Sequence, residues 1–163
     1  MSIVMPIPQS ASNADHPGSP STRHLGNLGE QLVANWLSQR GWQVVGQQWH
    51  CRWGELDLVA VSAPQDCLAF VEVKTRRSGN WDELGALAIT PRKQAKLWKA
   101  AELFLLAHPD WAELPGRFDV ALVQCEKLVG WQSMGHAPDE QAVLIADGYR
   151  LTLQDYIVAA FEG

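Results

Sequence analysis

Two stretches of sequence decide the fold: Gly54-Glu55-Leu56-Asp57-Leu58-Val59 and Phe70-Val71-Glu72-Val73-Lys74-Thr75. They are rich in apolar and β-branched residues and bounded by turn-forming residues, so residues 54–62 and 67–75 predict two strands. Between them, residues 63–66 read Ala-Pro-Gln-Asp and predict a turn. The sequence therefore predicts a β-hairpin in which Ser62 pairs with Cys67.

This register places Asp57 opposite Glu72 and Glu55 opposite Lys74. Because side chains alternate along a strand, the four charged groups are expected on one face. The opposite face takes an apolar set, which fixes the register because a slip by one residue would bury the charges. That set is Leu56, Leu58, Ala60, Ala69, Val71 and Val73.

The charged face predicts a metal site. Opposed carboxylates repel each other unless a cation lies between them, and a hard divalent ion suits two carboxylates together with phosphate oxygens. Asp57 and Glu72 are therefore the predicted metal ligands, with Mg²⁺ as the cofactor and Mn²⁺ as an alternative. Lys74 is placed to orient or deprotonate a water, or to neutralise charge on a phosphate. An alternative is an ordinary solvated face with a cross-strand Glu55–Lys74 ion pair.

The flanking sequence predicts the order α-β-β-β-α-β with further elements after it. A helix starts near Ser21 or Thr22, carries an apolar stripe and ends at Gly41. A second helix starts at Thr90-Pro91 and stops at His108-Pro109. The remaining expectations are strands at residues 42–48, 117–124 and 142–146, a polar loop at 129–141, and a C-terminal helix opened by Thr152 and Asp155.

Charge is distributed unevenly along the chain. Residues 74–99 hold seven basic and two acidic side chains, a net charge of +5, while the whole chain carries −5. A local basic zone on an acidic body suits binding to phosphates at one surface rather than over the whole protein. Lys93 and Lys96 on the second helix, and Arg76 and Arg77 after the hairpin, are the candidate nucleic-acid contacts. A solvated helix face explains the helical lysines equally well.

Length and composition predict one domain at residues 21–163, preceded by a disordered tail at residues 1–20 that is rich in Pro, Ser and Asn. The sequence contains neither a signal-peptide pattern nor an apolar run that would span a membrane, so we expect a cytoplasmic protein that is not membrane-bound. Three cysteines without a CxxC pair are expected to be reduced, buried thiols.

The hairpin residues resemble the PD-(D/E)xK nuclease signature, with Leu56 where that signature has proline. The chain resembles the YraN family of endonuclease-like proteins, which is similar to archaeal Holliday-junction resolvases. The resemblance covers about residues 25–161 and includes Gly26, Gly29, Lys93, Gln94 and Arg117-Phe118-Asp119-Val120.

The resemblance implies a restriction-endonuclease-like α/β fold, an αβββαβ core with a mixed central sheet flanked by helices. It implies that Asp57 and Glu72 hold the metal, that Lys74 serves the water, and that Glu30 reaches the site from the first helix. It also implies a homodimer and branched or junction DNA as the substrate.

The predicted function is that of a metal-dependent endonuclease that hydrolyses phosphodiester bonds in DNA. The alternative is a catalytically silent protein of the same fold that binds nucleic acid or a protein partner. A third candidate is a phosphohydrolase acting on nucleotides, because the same metal chemistry serves smaller phosphate esters.

Overall fold

The computed structural model describes residues 20–78, 89–130 and 141–162. The expectations for the tail, for the two acidic side chains within residues 74–99 and for most of the 129–141 loop lie outside these residues. The described elements are α1 (Thr22–Gln39), β1 (Trp42–Cys51), β2 (Gly54–Ser62), β3 (Leu68–Arg77), α2 (Pro91–Ala107), a 3₁₀ turn (Pro109–Trp111), β4 (Gly116–Lys127), β5 (Val143–Ala146) and β6 (Tyr149–Phe161).

Both helices begin where the sequence predicts. The Ser21 hydroxyl accepts a hydrogen bond from the backbone N–H of His24, and the Thr90 hydroxyl accepts one from the N–H of Lys93. Each cap satisfies a helix N–H that has no partner within the helix. Gly41 follows α1 with φ +80°, a conformation that glycine adopts without strain. Neither described helix has the length and hydropathy needed to cross a membrane.

The strands form one mixed sheet in the order β1-β2-β3-β4-β6-β5. β3 and β4 are parallel and are joined through α2, whereas the other neighbouring pairs are antiparallel. A parallel neighbour requires a crossover connection, which explains why a helix lies between these two strands. The predicted mixed α/β architecture, a central sheet flanked by helices, is confirmed.

Two apolar cores lie on opposite faces of the sheet. The α1 core includes Leu58, Ala60, Ala69 and Val71, with Val73 packed against it, as the hairpin pattern predicts. The α2 core takes residues of the opposite parity from the same strands, such as Val59 and Phe70. Leu56 was expected with Leu58 but belongs to the α2 core. The alternation of side chains between the two faces of the sheet is therefore broken around Asp57, where the paired part of the hairpin ends.

The C-terminal segment corrects one prediction, because residues from Thr152 onward form the long strand β6 and no helix. Leu151 and Leu153 are buried on one face, while the strand pairs with β4 and β5. Register shifts interrupt its pairing with β4. These irregularities obscure the two-residue period of the strand, so the spacing of Thr152 and Asp155 looked like a helix start.

The cysteine prediction is correct in part. All three thiols are free, and Cys125 is buried, but Cys51 and Cys67 are only half-buried. Cys51 ends the edge strand β1, and Cys67 lies at the hairpin turn, where the sheet does not enclose the side chain completely.

Candidate functional site

The β2–β3 hairpin supplies the centre of the site. Its paired residues run from Val61↔Leu68 to Leu58↔Val71, in the predicted register, and the backbone of Ser62 bonds to Cys67 at 3.0 Å. Beyond Leu58 the backbone pairing ends. There the Asp57 carboxylate accepts a hydrogen bond from the N–H of Val73 at 2.8 Å. The side chain of Asp57 thus takes the place of a strand partner and is held at the point where the two strands separate.

Three carboxylates gather at this point. Glu30 from α1, together with Glu55 and Asp57 from β2, each offer one oxygen atom, and these three atoms lie within 4.8 Å of one another. Gln48 of β1 donates to Glu30 at 2.8 Å and to Asn27 at 2.7 Å, and so orients the glutamate. The structure therefore brings Glu30 to the hairpin, as the resemblance implied.

Glu72 has cationic partners instead. It is only 7 % exposed and accepts a hydrogen bond from Lys93 of α2, with the Lys74 ammonium 3.8 Å from the same oxygen. Burial of Glu72 contradicts an ordinary solvated face at this position. The Glu55–Lys74 pair of that alternative is also replaced, since Glu55 lies 3.5 Å from the His50 ring nitrogen. One buried acid therefore holds two lysines beside the three carboxylates.

The ionisation of the site follows from burial and from this crowding of charge. Burial and the negative charges of Glu72, Glu30 and Glu55 together raise the pKa of Asp57 to about 8, although the hydrogen bond from Val73 lowers it. Burial also raises the pKa of Glu30, although the hydrogen bond from Gln48 opposes this. The free protein thus holds more protons at this site than exposed carboxylates would.

The two lysines respond in opposite directions. Burial and the neighbouring Lys93 charge lower the pKa of Lys74. For Lys93, burial acts against the charged form, but the hydrogen bond to Glu72 and the charge of that carboxylate outweigh it and raise the pKa. Lys93 is therefore the cation that Glu72 stabilises most strongly, and Lys74 is the amine more readily deprotonated.

Two clefts meet at Glu55. The carboxylate cleft, about 520 Å³, lies between α1 and the edge of the sheet and is lined by Glu30, Gln48, His50, Glu55 and Asp57 among others. The lysine cleft, about 350 Å³, lies between the β1–β2 turn and α2. Its walls include Trp53, Arg92, Lys93, Lys96, Leu97 and Ala100. An acidic cleft therefore adjoins a basic one, with Glu55 common to both.

The predicted nucleic-acid contacts divide into two groups. Lys93 and Lys96 line the lysine cleft, and Arg76 is close enough to Lys74 to lower its pKa. Arg77 lies elsewhere, with its guanidinium 6.0 Å from the centre of the Tyr149 ring. Consecutive residues of a strand point to opposite faces, which separates Arg76 from Arg77.

Sequence reasoning placed Glu55 on the charged face but did not assign it to the metal, and it missed Gln48. Glu55 had a usable signal, because it lies two residues before Asp57 on the same strand. Gln48 had none. It lies between Gln47 and Trp49, which pair with Leu58 and Leu56, and its positive φ of 47° follows a register shift at Val44/Gly46. Such a local conformation is not encoded in residue spacing.

The donor set fits a hard divalent cation. All three clustered groups are carboxylates, the ligand type that Mg²⁺ and Mn²⁺ prefer. Their mutual repulsion contributes to the raised pKa of Asp57, and a cation would relieve it. Glu30, Glu55 and Asp57 are thus the residues that would hold the ion, while one oxygen of the predicted ligand Glu72 is occupied by lysines.

Comparison with known proteins gives consistent matches. The model of a family described as "Uncharacterised protein family UPF0102" matches residues 29–123, a range that includes the carboxylate cluster, both lysines and the lysine cleft. A UPF0102 protein of Acaryochloris marina is 50 % identical, with 84 % of this chain and 89 % of the relative aligned. Relatives from Trichodesmium erythraeum and a Synechococcus strain are each 45 % identical, with 83 % and 90 % of this chain aligned and 87 % and 97 % of the relatives.

Proposed function

Since the chain belongs to the protein family UPF0102, we propose from the geometry of its site that it is a metal-dependent endonuclease of the PD-(D/E)xK type acting on DNA. The observation that supports this most directly is the carboxylate cluster of Glu30, Glu55 and Asp57, within 4.8 Å, beside two lysines held by Glu72. A DNA substrate is consistent with the cytoplasmic location that the sequence predicts.

A Mg²⁺ or Mn²⁺ ion held by the cluster would supply charge neutralisation at a phosphodiester and activation of a water. The protein's own contribution is positioning. Asp57 is fixed by the Val73 N–H, and Glu30 is fixed by Gln48, so both carboxylates are oriented before any substrate binds. This pre-organisation lowers the cost of assembling the reactive arrangement.

Lys74 and Lys93 supply the positive charge. Glu72 holds both ammonium groups. Lys93 lines the lysine cleft and lies close enough to Asp57 for that carboxylate to raise its pKa, so a phosphate that reaches the carboxylate cluster would be near this lysine. Donors fixed in advance stabilise charge that develops on phosphate oxygens during cleavage. The lowered pKa of Lys74 also makes this amine the better acceptor of a proton from an attacking water.

The test is cleavage of labelled duplex, single-stranded and four-way-junction DNA, with free nucleotides assayed in parallel, in Mg²⁺, Mn²⁺ or EDTA. We expect the wild type to cut DNA only with metal, and Asp57→Asn and Lys74→Met to lose at least about a hundredfold in rate. Exposed Glu113 provides the control, and Glu113→Gln should cut like the wild type. Cleavage in EDTA, or full activity of Asp57→Asn, would refute the proposal.

A second candidate function rests on the pairing of Glu72 with two lysines. This arrangement is electrostatically satisfied without a metal ion, as expected for a nuclease-fold module that binds DNA without cutting it. Binding of DNA by wild type and Asp57→Asn alike, with no cleavage by either in any metal, would favour this module. Hydrolysis of nucleotides but not of DNA would favour the phosphohydrolase.

A further inference from the structure

The lysine cleft combines an apolar floor with a cationic rim. Leu97 and Ala100 of α2 are buried at its base, and the half-buried Trp53 of the β1–β2 turn forms a wall. Arg92, Lys93 and Lys96 lie around it on the first turns of α2. All three are exposed, and Lys93 is also bound to Glu72. The cleft therefore suits a ligand with a flat apolar part and adjoining negative charges.

The surroundings of Trp53 strengthen this chemistry. The Lys99 ammonium lies 4.0 Å from the centre of the indole ring, and the Arg52 guanidinium lies 5.3 Å from it. Cations are attracted to the electron-rich face of an indole, so this ring gathers positive charge around an aromatic surface. Lysine side chains are long and flexible, and Lys99 can exchange its ring contact for a phosphate when a base occupies the cleft.

Nucleotides match both features at once, but only when they are unpaired. In a duplex the faces of each base are covered by stacking, whereas an unpaired base exposes an aromatic face that packs on side chains such as Trp. A volume of about 350 Å³ has room for one nucleotide. Charge complementarity between the rim and the adjoining phosphates supplies the rest of the affinity.

We propose that the lysine cleft binds an unpaired nucleotide of a DNA strand, with the base against Trp53 and the apolar floor and the phosphates against Arg92, Lys93 and Lys96. This proposal rests on the nuclease function proposed above and specifies its substrate. Because Glu55 lines both clefts, a strand held in this way passes its next phosphate to the carboxylate cluster. The substrate is then DNA with a single-stranded stretch beside the cut, as at a fork, flap or junction.

The test measures binding in EDTA, so that it does not depend on cleavage. Fluorescence anisotropy compares a labelled 12-nucleotide DNA strand, the same strand with its central bases removed, and the corresponding duplex. We expect the wild type to bind the intact strand about tenfold more tightly than the abasic strand, since stacking of a base on an aromatic side chain is worth roughly five- to a hundredfold in affinity.

Matched variants identify the side chain responsible. Trp53→Leu keeps an apolar wall but removes the ring, and it should bind intact and abasic strands equally. Trp53→Phe keeps a ring and should retain most of the preference. Lys127→Ala removes an exposed cation outside the cleft and should behave as the wild type. Thermal melting of each variant shows whether it is folded at the assay temperature.

The outcomes separate this inference from the nuclease proposal. Equal binding of intact and abasic strands by the wild type, failure to bind either, or an unchanged preference in Trp53→Leu would overturn the nucleotide site, even if the protein cuts duplex DNA with metal. If the wild type, Trp53→Phe and Lys127→Ala prefer the intact strand to the abasic strand and Trp53→Leu does not, the nucleotide site is supported, even if no preparation cuts DNA in the metal assay.

Discussion

Asp57 makes folding stability depend on pH when no metal is bound. Its pKa is about 8 in the folded protein, against 3.8 for an exposed aspartate carboxyl. A carboxyl whose folded pKa is raised binds its proton more tightly in the folded state, so the contribution to stability is full below pH ~4 and is lost as pH rises through ~8. Deprotonation leaves one more negative charge among Glu30, Glu55 and Glu72.

We therefore expect the free energy of unfolding in EDTA to fall between pH 5 and pH 8, and Asp57→Asn to reduce this slope by up to ~1.4 kcal/mol per pH unit. Urea denaturation at each pH gives the slope. Asp110→Asn, at an exposed acid on the 3₁₀ turn, is the control and should follow the wild type. Parallel curves for wild type and Asp57→Asn would show that Asp57 does not hold the proton assigned to it.

Bound metal should oppose the fall of stability with rising pH, because a cation binds the deprotonated carboxylate. We expect Mg²⁺ to raise the melting temperature of the wild type more at pH 8 than at pH 6, and to raise that of Asp57→Asn much less at either pH. This comparison reports metal binding separately from cleavage.

At the scale of elements, the site depends on how closely α1 approaches β3. Gly29 is buried in α1, and a Cβ atom there would lie 2.0 Å from the Thr75 hydroxyl oxygen. Glu30, the next residue, belongs to the carboxylate cluster. The glycine thus allows the helix to approach the strand closely enough to deliver Glu30 to the hairpin.

Gly29→Ala should therefore lower the free energy of unfolding by about 1–3 kcal/mol, as overpacking does, despite the better helix propensity of alanine. Thr75→Ala removes the obstructing hydroxyl, and the double variant should recover at least half of the loss. Urea denaturation of the four proteins measures the coupling between the two residues. Additive losses would show that the two side chains do not meet, and cleavage rates should follow the same order if Glu30 moves with the helix.

The hairpin, both helices and the order of the core elements could be predicted from the sequence, because helix caps and the apolar pattern indicate the same structure. Caps at Ser21 and Thr90 mark the helix starts, and the apolar pattern from Leu58 to Val71 permits only one register. These features depend on residues that are close in sequence or paired across a short turn. The acids were predictable for the same reason, since Asp57 and Glu72 lie on the two strands of this hairpin.

β6 was not predictable because contacts distant in sequence determine it. Asp119 is fully buried and accepts hydrogen bonds from the Tyr156 hydroxyl at 2.8 Å and from the N–H of Ala159 at 2.9 Å. Ala159 adopts a positive φ of 50°, which the local sequence does not predict. A buried carboxylate on β4 thus fixes the end of a strand whose own sequence, read alone, suggests a helix start at Thr152.

At the scale of the whole molecule, a net charge of −5 opposes the proposed binding of DNA, so this proposal requires that attraction come from one surface. The cations of α2, with Lys74 and Arg76, are gathered beside the acidic cluster rather than spread over the body. For the proposed substrate, this arrangement would favour a single mode of approach, in which phosphates meet the lysine cleft and the carboxylate cleft repels DNA until a cation occupies it.

The homodimer implied by the resemblance to resolvases belongs to this scale. Two copies of one site would cut two strands at symmetric positions, which is how a junction is resolved into duplexes. Light scattering after size-exclusion chromatography gives the mass in solution. A monomeric mass at working concentration, both with and without junction DNA, would refute symmetric cutting by a dimer. Cleavage of one strand by a monomer would still be compatible with that result.

Salt dependence tests the location of the DNA surface with two neighbouring residues of one strand. The logarithm of DNA affinity should fall linearly with the logarithm of salt concentration, and loss of one phosphate contact should reduce the slope by about 1. Arg76 lies on the side of Lys74, whereas Arg77 lies over Tyr149, so Arg76→Ala should reduce the slope and Arg77→Ala should leave it unchanged. The two substitutions change the net charge equally, so a difference between them can only come from position. Equal reductions by both would mean that DNA spans both faces of the sheet, and an effect of Arg77 alone would move the DNA surface away from the lysine cleft.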